Sequence, residues 1–185
     1  MIEGRIFMRI DIEDSLLLLI DVQEKLYPHM QNKEALSQKT VTLLNGAKAL
    51  GLPIMAARQY PQGLGDTIEE LRPYFNNYYD KMTFSCCGND NLIAKLRETG
   101  CKNVIITGIE AHICVLQTVI DLKELGYLPI VVSDAISSRR QQDYEIALRR
   151  MEYEGALITT VESILFELCR QAGTDVFKTI SRLVK

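Results

Sequence analysis

The sequence predicts an α/β fold built on a mostly parallel sheet. Three observations carry the prediction. The apolar runs SLLLLI, LPIMAAR, KNVIITGI and YLPIVVSD read as strands buried on both faces. They alternate with segments whose apolar residues recur at helical spacing, a β–α succession rather than a set of hairpins. No internal repeat, low-complexity tract or Ser/Gly linker breaks the 185 residues, a length suited to one full core and too short for two comfortable ones.

The elements follow in order. SLLLLI is a strand that ends at Asp21. NKEALSQKTVTLLNGAKALG places Leu36, Val41, Leu44, Ala47 and Leu50 on one helical face and stops at Gly51, a C-cap residue. LPIMAAR is the second strand and QYPQGLGDT a Gly/Pro loop. DTIEELRPYF is expected as a short helix capped by Asp66, and YYDKMTFS as a weak strand. NDNLIAKLRETG is a helix with a glycine stop, and KNVIITGI the clearest strand of the chain. HICVLQTVIDLKELG, SRRQQDYEIALRRMEYEG, ESILFELCRQAG and DVFKTISRLV are helices, with YLPIVVSD and ALITTV as the fifth and sixth strands. Right-handed crossovers make such a sheet doubly wound.

Composition narrows the function. Hydrophobic residues make up 47% of the chain and charged residues 24%, ordinary for a globular protein. A net charge of −3 argues against a broad nucleic-acid footprint. No apolar run approaches the roughly 20 residues that span a bilayer, so no membrane partner is expected. The N-terminus does not read as a signal peptide. Its IEGR matches a protease site common in expression vectors, so residues 1–7 are expected to be an added segment, with residues 8–185 the single domain. The five cysteines, Cys86, Cys87, Cys101, Cys114 and Cys169, form neither a disulfide framework nor a zinc pattern, which points to free thiols in the cytoplasm. No P-loop, GxGxxG or GxSxG follows a strand, and no metal spacing such as HExxH is present. No cofactor and no metal site are therefore expected.

In an open α/β sheet the ligand site lies beyond the carboxyl ends of the strands. Asp21, Lys81 and Cys114 fall there. A thiolate is a nucleophile, and a free cysteine has a pKa of about 8.5. The helix starting near residue 111 and the Lys81 cation are both expected to lower it. Asp21 can take the thiol proton and pass it on, and unpaired N–H groups at the helix start can hold an oxyanion. Each residue also has a plain reading: Cys114 as a core residue, Asp21 as a turn residue, Lys81 as a surface lysine. His112, two residues from Cys114, cannot face it on a helix, and His29 would reach the site only through a loop. The charged helix SRRQQDYEIALRRMEYEG reads as a solvated face, and Cys86 and Cys87 as incidental.

The chain resembles the isochorismatase-like cysteine hydrolases. LLLLIDVQEKLYP resembles the family's first strand ending in D-x-Q, and DKMTFS its lysine segment. NVIITGIEAHICVLQTVIDLKELGY resembles the nucleophile segment, and IVVSDAISSR with ALRRMEYEGALITTVESILFEL the C-terminal pieces. The likeness covers about residues 9–170 and is nearest to the isochorismatase-domain-containing proteins, on RQYPQGLGDT and GIEAHIC. It implies a Rossmann-like three-layer sandwich with a six-stranded parallel sheet, and an Asp21, Lys81, Cys114 triad. It further implies a cis peptide at Ile109–Glu110 and an oxyanion hole of the Glu110 and Cys114 N–H groups. Gln23, Tyr60, Phe84 and His112 are the expected pocket wall. Members with such a triad cleave amides. The D-x-H metal motif of nicotinamidases is replaced here by RQYPQGLGD, and true isochorismatases cleave a vinyl ether without a cysteine nucleophile. The implied function is cysteine-dependent hydrolysis of a C–N bond in a small molecule, in a homo-oligomer. The alternative is a non-catalytic or redox-linked oligomeric binding protein of the same fold.

Overall fold

Six strands form one sheet: β1 (Ser15–Ile20), β2 (Ile54–Gln59), β3 (Tyr79–Lys81), β4 (Asn103–Ile109), β5 (Leu128–Ser137) and β6 (Leu157–Thr159). Their order is β3–β2–β1–β4–β5–β6 and every pair is parallel. This computed structural model describes residues 9–185, so the expected added segment at residues 1–7 lies outside the described residues. Among the described residues seven α-helices accompany the sheet: α1 (Lys33–Leu50), α2 (Pro61–Leu64), α3 (Asp90–Thr99), α4 (Leu116–Glu124), α5 (Gln141–Tyr153), α6 (Val161–Cys169) and α7 (Asp175–Leu183).

Side chains on a strand alternate between faces, and both faces here are apolar. Leu17 and Leu19 of β1, with Ile105 and Ile130, pack under α1, α6 and α7 through Leu44, Leu165 and Ile180. Leu16, Leu18 and Ile20, with Val104 and Ile106, pack on α3, α4 and α5 through Leu96, Val119 and Met151. The result is the expected three-layer α/β architecture, with β1 buried along its whole length. Gly51 closes α1 in the left-handed conformation, its N–H bonded to Ala47 and Lys48 carbonyls.

The expected helix over 66–75 does not form. Asp66 gives its carboxylate to Arg58 and to the Thr67 N–H instead of capping a helix. Pro73 has no N–H to continue one, and only a 3₁₀ turn, Arg72–Tyr74, appears. The loop after β2 contains the single turn α2. The helix expected from His112 begins as a π-helical turn over Ala111–Val115 before α4. β3 ends at Lys81, and β5 runs three residues beyond Asp134, past a register shift against β4 between Ile106 and Gly108.

Candidate active site

The strand order reverses between β1 and β4, and the site lies at that switch point. Parallel register lines up its contributors. Ile20 pairs with Ala57 on one side and Gly108 on the other, and Gln59 pairs with Lys81. Asp21 follows with φ 53°, a left-handed turn that aspartate tolerates. Gly108, at φ 126°, lies against β1 so closely that a Cβ there would sit 2.0 Å from the Ile20 carbonyl oxygen. The Ile109–Glu110 peptide beyond it is cis.

Asp21 and Lys81 form an ion pair of 2.6 Å between Oδ2 and Nζ, with both side chains at 0% exposure. The Lys81 ammonium also donates to Gln59 Oε1 at 2.7 Å and to the carbonyl oxygens of Phe84 at 2.9 Å and Thr83 at 3.3 Å. An ammonium has three protons, so the three nearest acceptors use all of them. Lys81 is thus a fixed cation, not a surface lysine.

Cys114 is buried beside this pair. Burial pushes its thiol up to about 12, the Asp21 charge adds to the rise, and Lys81 opposes it. The expected lowering is therefore reversed: desolvation outweighs the cation, and the thiol keeps its proton at neutral pH. Burial also raises Asp21, against the Lys81 charge. For Lys81, burial acts downward, but the opposing charges, led by Asp21, outweigh it and raise the ammonium. The second Asp21 oxygen, Oδ1, is buried and has no formed hydrogen bond, although the Cys114 thiol is close enough to interact with that carboxylate. Chemically, this is a protonated thiol beside a carboxylate with an open acceptor position, flanked by a fixed positive charge.

The other expected site residues divide. Gln23 is fully buried. Its amide donates to the Gln59 and Gly65 carbonyls and accepts from the Gln59 N–H, so it clamps backbone. Tyr60 and Phe84 are exposed beside the site, and Phe84 contributes its carbonyl oxygen to Lys81. His112 bonds Ser138 Oγ at 2.9 Å and lines a cavity of about 370 Å³ with Arg139, Arg140 and Asp143. The Glu110 carboxylate is held by Arg139 at 3.0 Å.

Sequence reasoning passed over three residues. Gln59 touches Lys81 directly, and its position at the end of β2 was the available signal. Cys86, read as incidental, is fully buried near the Asp21–Lys81 pair, and burial with the Asp21 charge pushes its thiol up. Thr118 links the two thiol segments, accepting from the Cys86 N–H and donating to the Cys114 carbonyl. Only contacts between distant segments reveal the last two. Among the described residues no group of three His, Cys, Asp or Glu side chains is placed to hold a metal ion, and no helix is long and apolar enough to cross a membrane.

The isochorismatase domain model matches residues 15–163. The chain is 38% identical over 179 residues to isochorismatase family protein 1B of Dictyostelium discoideum, covering 94% of this chain and 87% of that one. Its fold matches a structure described as MAR1 ribonuclease from Caenorhabditis elegans with TM-score 0.90 at 35% identity, over 96% and 92% of the two chains. It also matches the Escherichia coli YcaC gene product, described as an octameric hydrolase of unknown specificity, with TM-score 0.91 at 24% identity, over 97% and 91%. By domain match and by identity along nearly its whole length, the chain belongs to the isochorismatase family.

Proposed function

We propose that the protein hydrolyses a C–N bond of a small amide-like molecule through a thioester on Cys114. The carrying observation is the buried Asp21–Lys81 pair with the Cys114 thiol beside it and Asp21 Oδ1 open. Because the thiol is protonated at rest, its proton moves to Asp21 as sulfur attacks the carbonyl carbon. The N–H groups of Glu110 and Cys114 hold the oxyanion. Collapse breaks the C–N bond, and the leaving nitrogen takes the proton from Asp21. Water then attacks the thioester, giving a proton to Asp21. The acid departs and the Cys114 sulfur recovers that proton. Lys81 keeps Asp21 ionised and turned toward the sulfur. Tyr60, Phe84 and His112 border the pocket, while Gln23 supports it from beneath.

The chain acts as one domain and as a homo-oligomer, a reading supported by the octameric YcaC neighbour and by exposed Ile146, Tyr153 and Leu157 on α5 and β6. Its five free thiols suit a reducing compartment such as the cytoplasm. The C. elegans neighbour's description as a ribonuclease finds no echo in a net charge of −3.

The test is a screen of small amides with the wild type and Cys114→Ala. Turnover and a covalent acyl adduct, seen by intact mass, should both vanish in Cys114→Ala. Turnover retained in that variant overturns the mechanism. Cys114 that iodoacetamide alkylates no faster than the other cysteines at neutral pH favours the non-catalytic binding protein.

A further inference from the structure

We propose that Gln59 is a positioning residue, whose side-chain carbonyl holds the Lys81 ammonium so that Asp21 stays ionised and aimed at Cys114. The inference rests on the cysteine-hydrolase reading and adds a group to it.

The geometry leaves the Gln59 amide only one orientation. Its Nε2 donates to the Met82 carbonyl at 2.8 Å, and a carbonyl oxygen can only accept. The other end of the amide, Oε1, must then face Lys81, which donates to it at 2.7 Å. A flipped amide would aim N–H at an ammonium and oxygen at a carbonyl, two repulsive contacts in a buried place.

The backbone of Gln59 is fixed as firmly as its side chain. The Gln23 amide accepts from the Gln59 N–H at 2.8 Å and donates to the Gln59 carbonyl at 2.9 Å and to Gly65 at 2.7 Å. Gln23 lies two residues after Asp21, so one amide ties the end of β1 to the end of β2. In-register pairing of Gln59 with Lys81 carries the tie to β3. Two glutamines thereby connect the base, the cation and the strand ends that carry them.

This arrangement has a chemical consequence. Gln59 is a neutral acceptor, so it supports the ammonium without competing for its charge. Of the three nearest acceptors of Lys81, only Asp21 is charged. The full attraction of the cation therefore falls on Asp21. Without the Gln59 oxygen, one buried N–H of Lys81 is left with only the longer contact to the Thr83 carbonyl at 3.3 Å, and the ammonium is less favourable and less fixed. Asp21 then ionises at higher pH. The charged or titratable groups around Asp21 are Lys81 from β3, Cys114 from the turn after β4 and Cys86 from the turn after β3.

The test reads the iodoacetamide alkylation rate of Cys114 against pH by peptide mapping of the intact protein. In the wild type the rate rises as Asp21 ionises and then levels, because a protonated thiol reacts through its base. Gln59→Met keeps the length but removes the acceptor. It should move the acid limb up by about one pH unit, which lowers the rate about tenfold at a fixed pH on that limb. Gln59→Glu keeps an acceptor oxygen for Lys81 and differs by one heavy atom, though it loses the donor to the Met82 carbonyl. Its charge competes with Asp21 for Lys81, and the limb should again move up. Buried Cys101 should stay protected in both variants. An acid limb unmoved in Gln59→Glu overturns the proposal, as does a lowered rate without a shifted limb in a folded Gln59→Met. A wild-type Cys114 with no preferential reactivity would instead remove the underlying hydrolase reading.

Discussion

Replacing Lys81 by methionine should destabilise the fold by about 3–5 kcal/mol, the usual cost of stranding one member of a buried ion pair. Both side chains are at 0% exposure, so water cannot compensate Asp21. Gln59 Oε1 and the Phe84 carbonyl lose their donor as well. The double variant Asp21→Asn/Lys81→Met removes both charges while nearly conserving shape, and should recover to within about 2 kcal/mol of wild type. Independent sites add to within roughly 0.5 kcal/mol, so such recovery is a direct measure of coupling. Urea unfolding at fixed protein concentration reads it from the midpoint, provided the slope is unchanged. The loss in Lys81→Met should also depend on pH. The folded-state pKa of Asp21 already lies above its ordinary 3.8, and removing the cation raises it further. A carboxyl raised in this way stabilises the fold below its unfolded value and loses that contribution as pH rises through the folded value. The variant is therefore less impaired at pH 5 than at pH 8. A loss under about 1 kcal/mol in Lys81→Met, or a double variant as unstable as the sum of the singles, refutes the reasoning.

Three further outcomes follow from local geometry. Gly108→Ala sets a Cβ 2.0 Å from the Ile20 carbonyl oxygen at a φ that disfavours side chains. Strain and overpacking together should cost about 2–6 kcal/mol, and a variant that melts with the wild type would contradict the close approach of β1 and β4. Asn89 caps α3 by accepting from the Leu92 N–H at 2.9 Å, and its Nδ2 donates to the Asp80 carbonyl at 2.7 Å. Asn89→Ala should cost about 1–2 kcal/mol, with Asn89→Asp between it and wild type in urea unfolding because it keeps only the cap. Finally, with its thiol pushed up to about 12, Cys114 should not titrate by itself between pH 7 and 10. Its alkylation rate should show no inflection there, whereas an unperturbed thiol climbs about tenfold per pH unit and then levels off above a pKa of about 8.5. A sigmoid centred between pH 8 and 9 would show that burial does not govern this thiol.

Much of the fold was legible because strands buried on both faces leave a strong mark. SLLLLI and NVIITGI admit no amphipathic helix of comparable length, and each stops at a residue that turns the chain. The segment 66–75 misled because its helical composition ignores what competes for Asp66. Arg58, near the end of β2 just before this loop, takes that carboxylate, and Pro73 ends what helix could form. The charge state of Cys114 also escaped, since a nearby cation and a helix start are visible in sequence whereas the depth of burial is not.

The sequence by itself determined the alternation of strand and helix, the two apolar faces of β1 and the presence of Asp21, Lys81 and Cys114 at strand ends, because these depend on residue type and local spacing. The tertiary structure decided that strands separated by tens of residues pair in register, which joins Asp21 to Lys81 and Gln59 to both. It also decided that Cys86 lies near the site rather than apart from it, and that Gln23 ties the end of β1 to the backbone at the end of β2. Hydrogen bonds and desolvation depend on which distant groups meet and on how much water remains between them, and no local pattern records either.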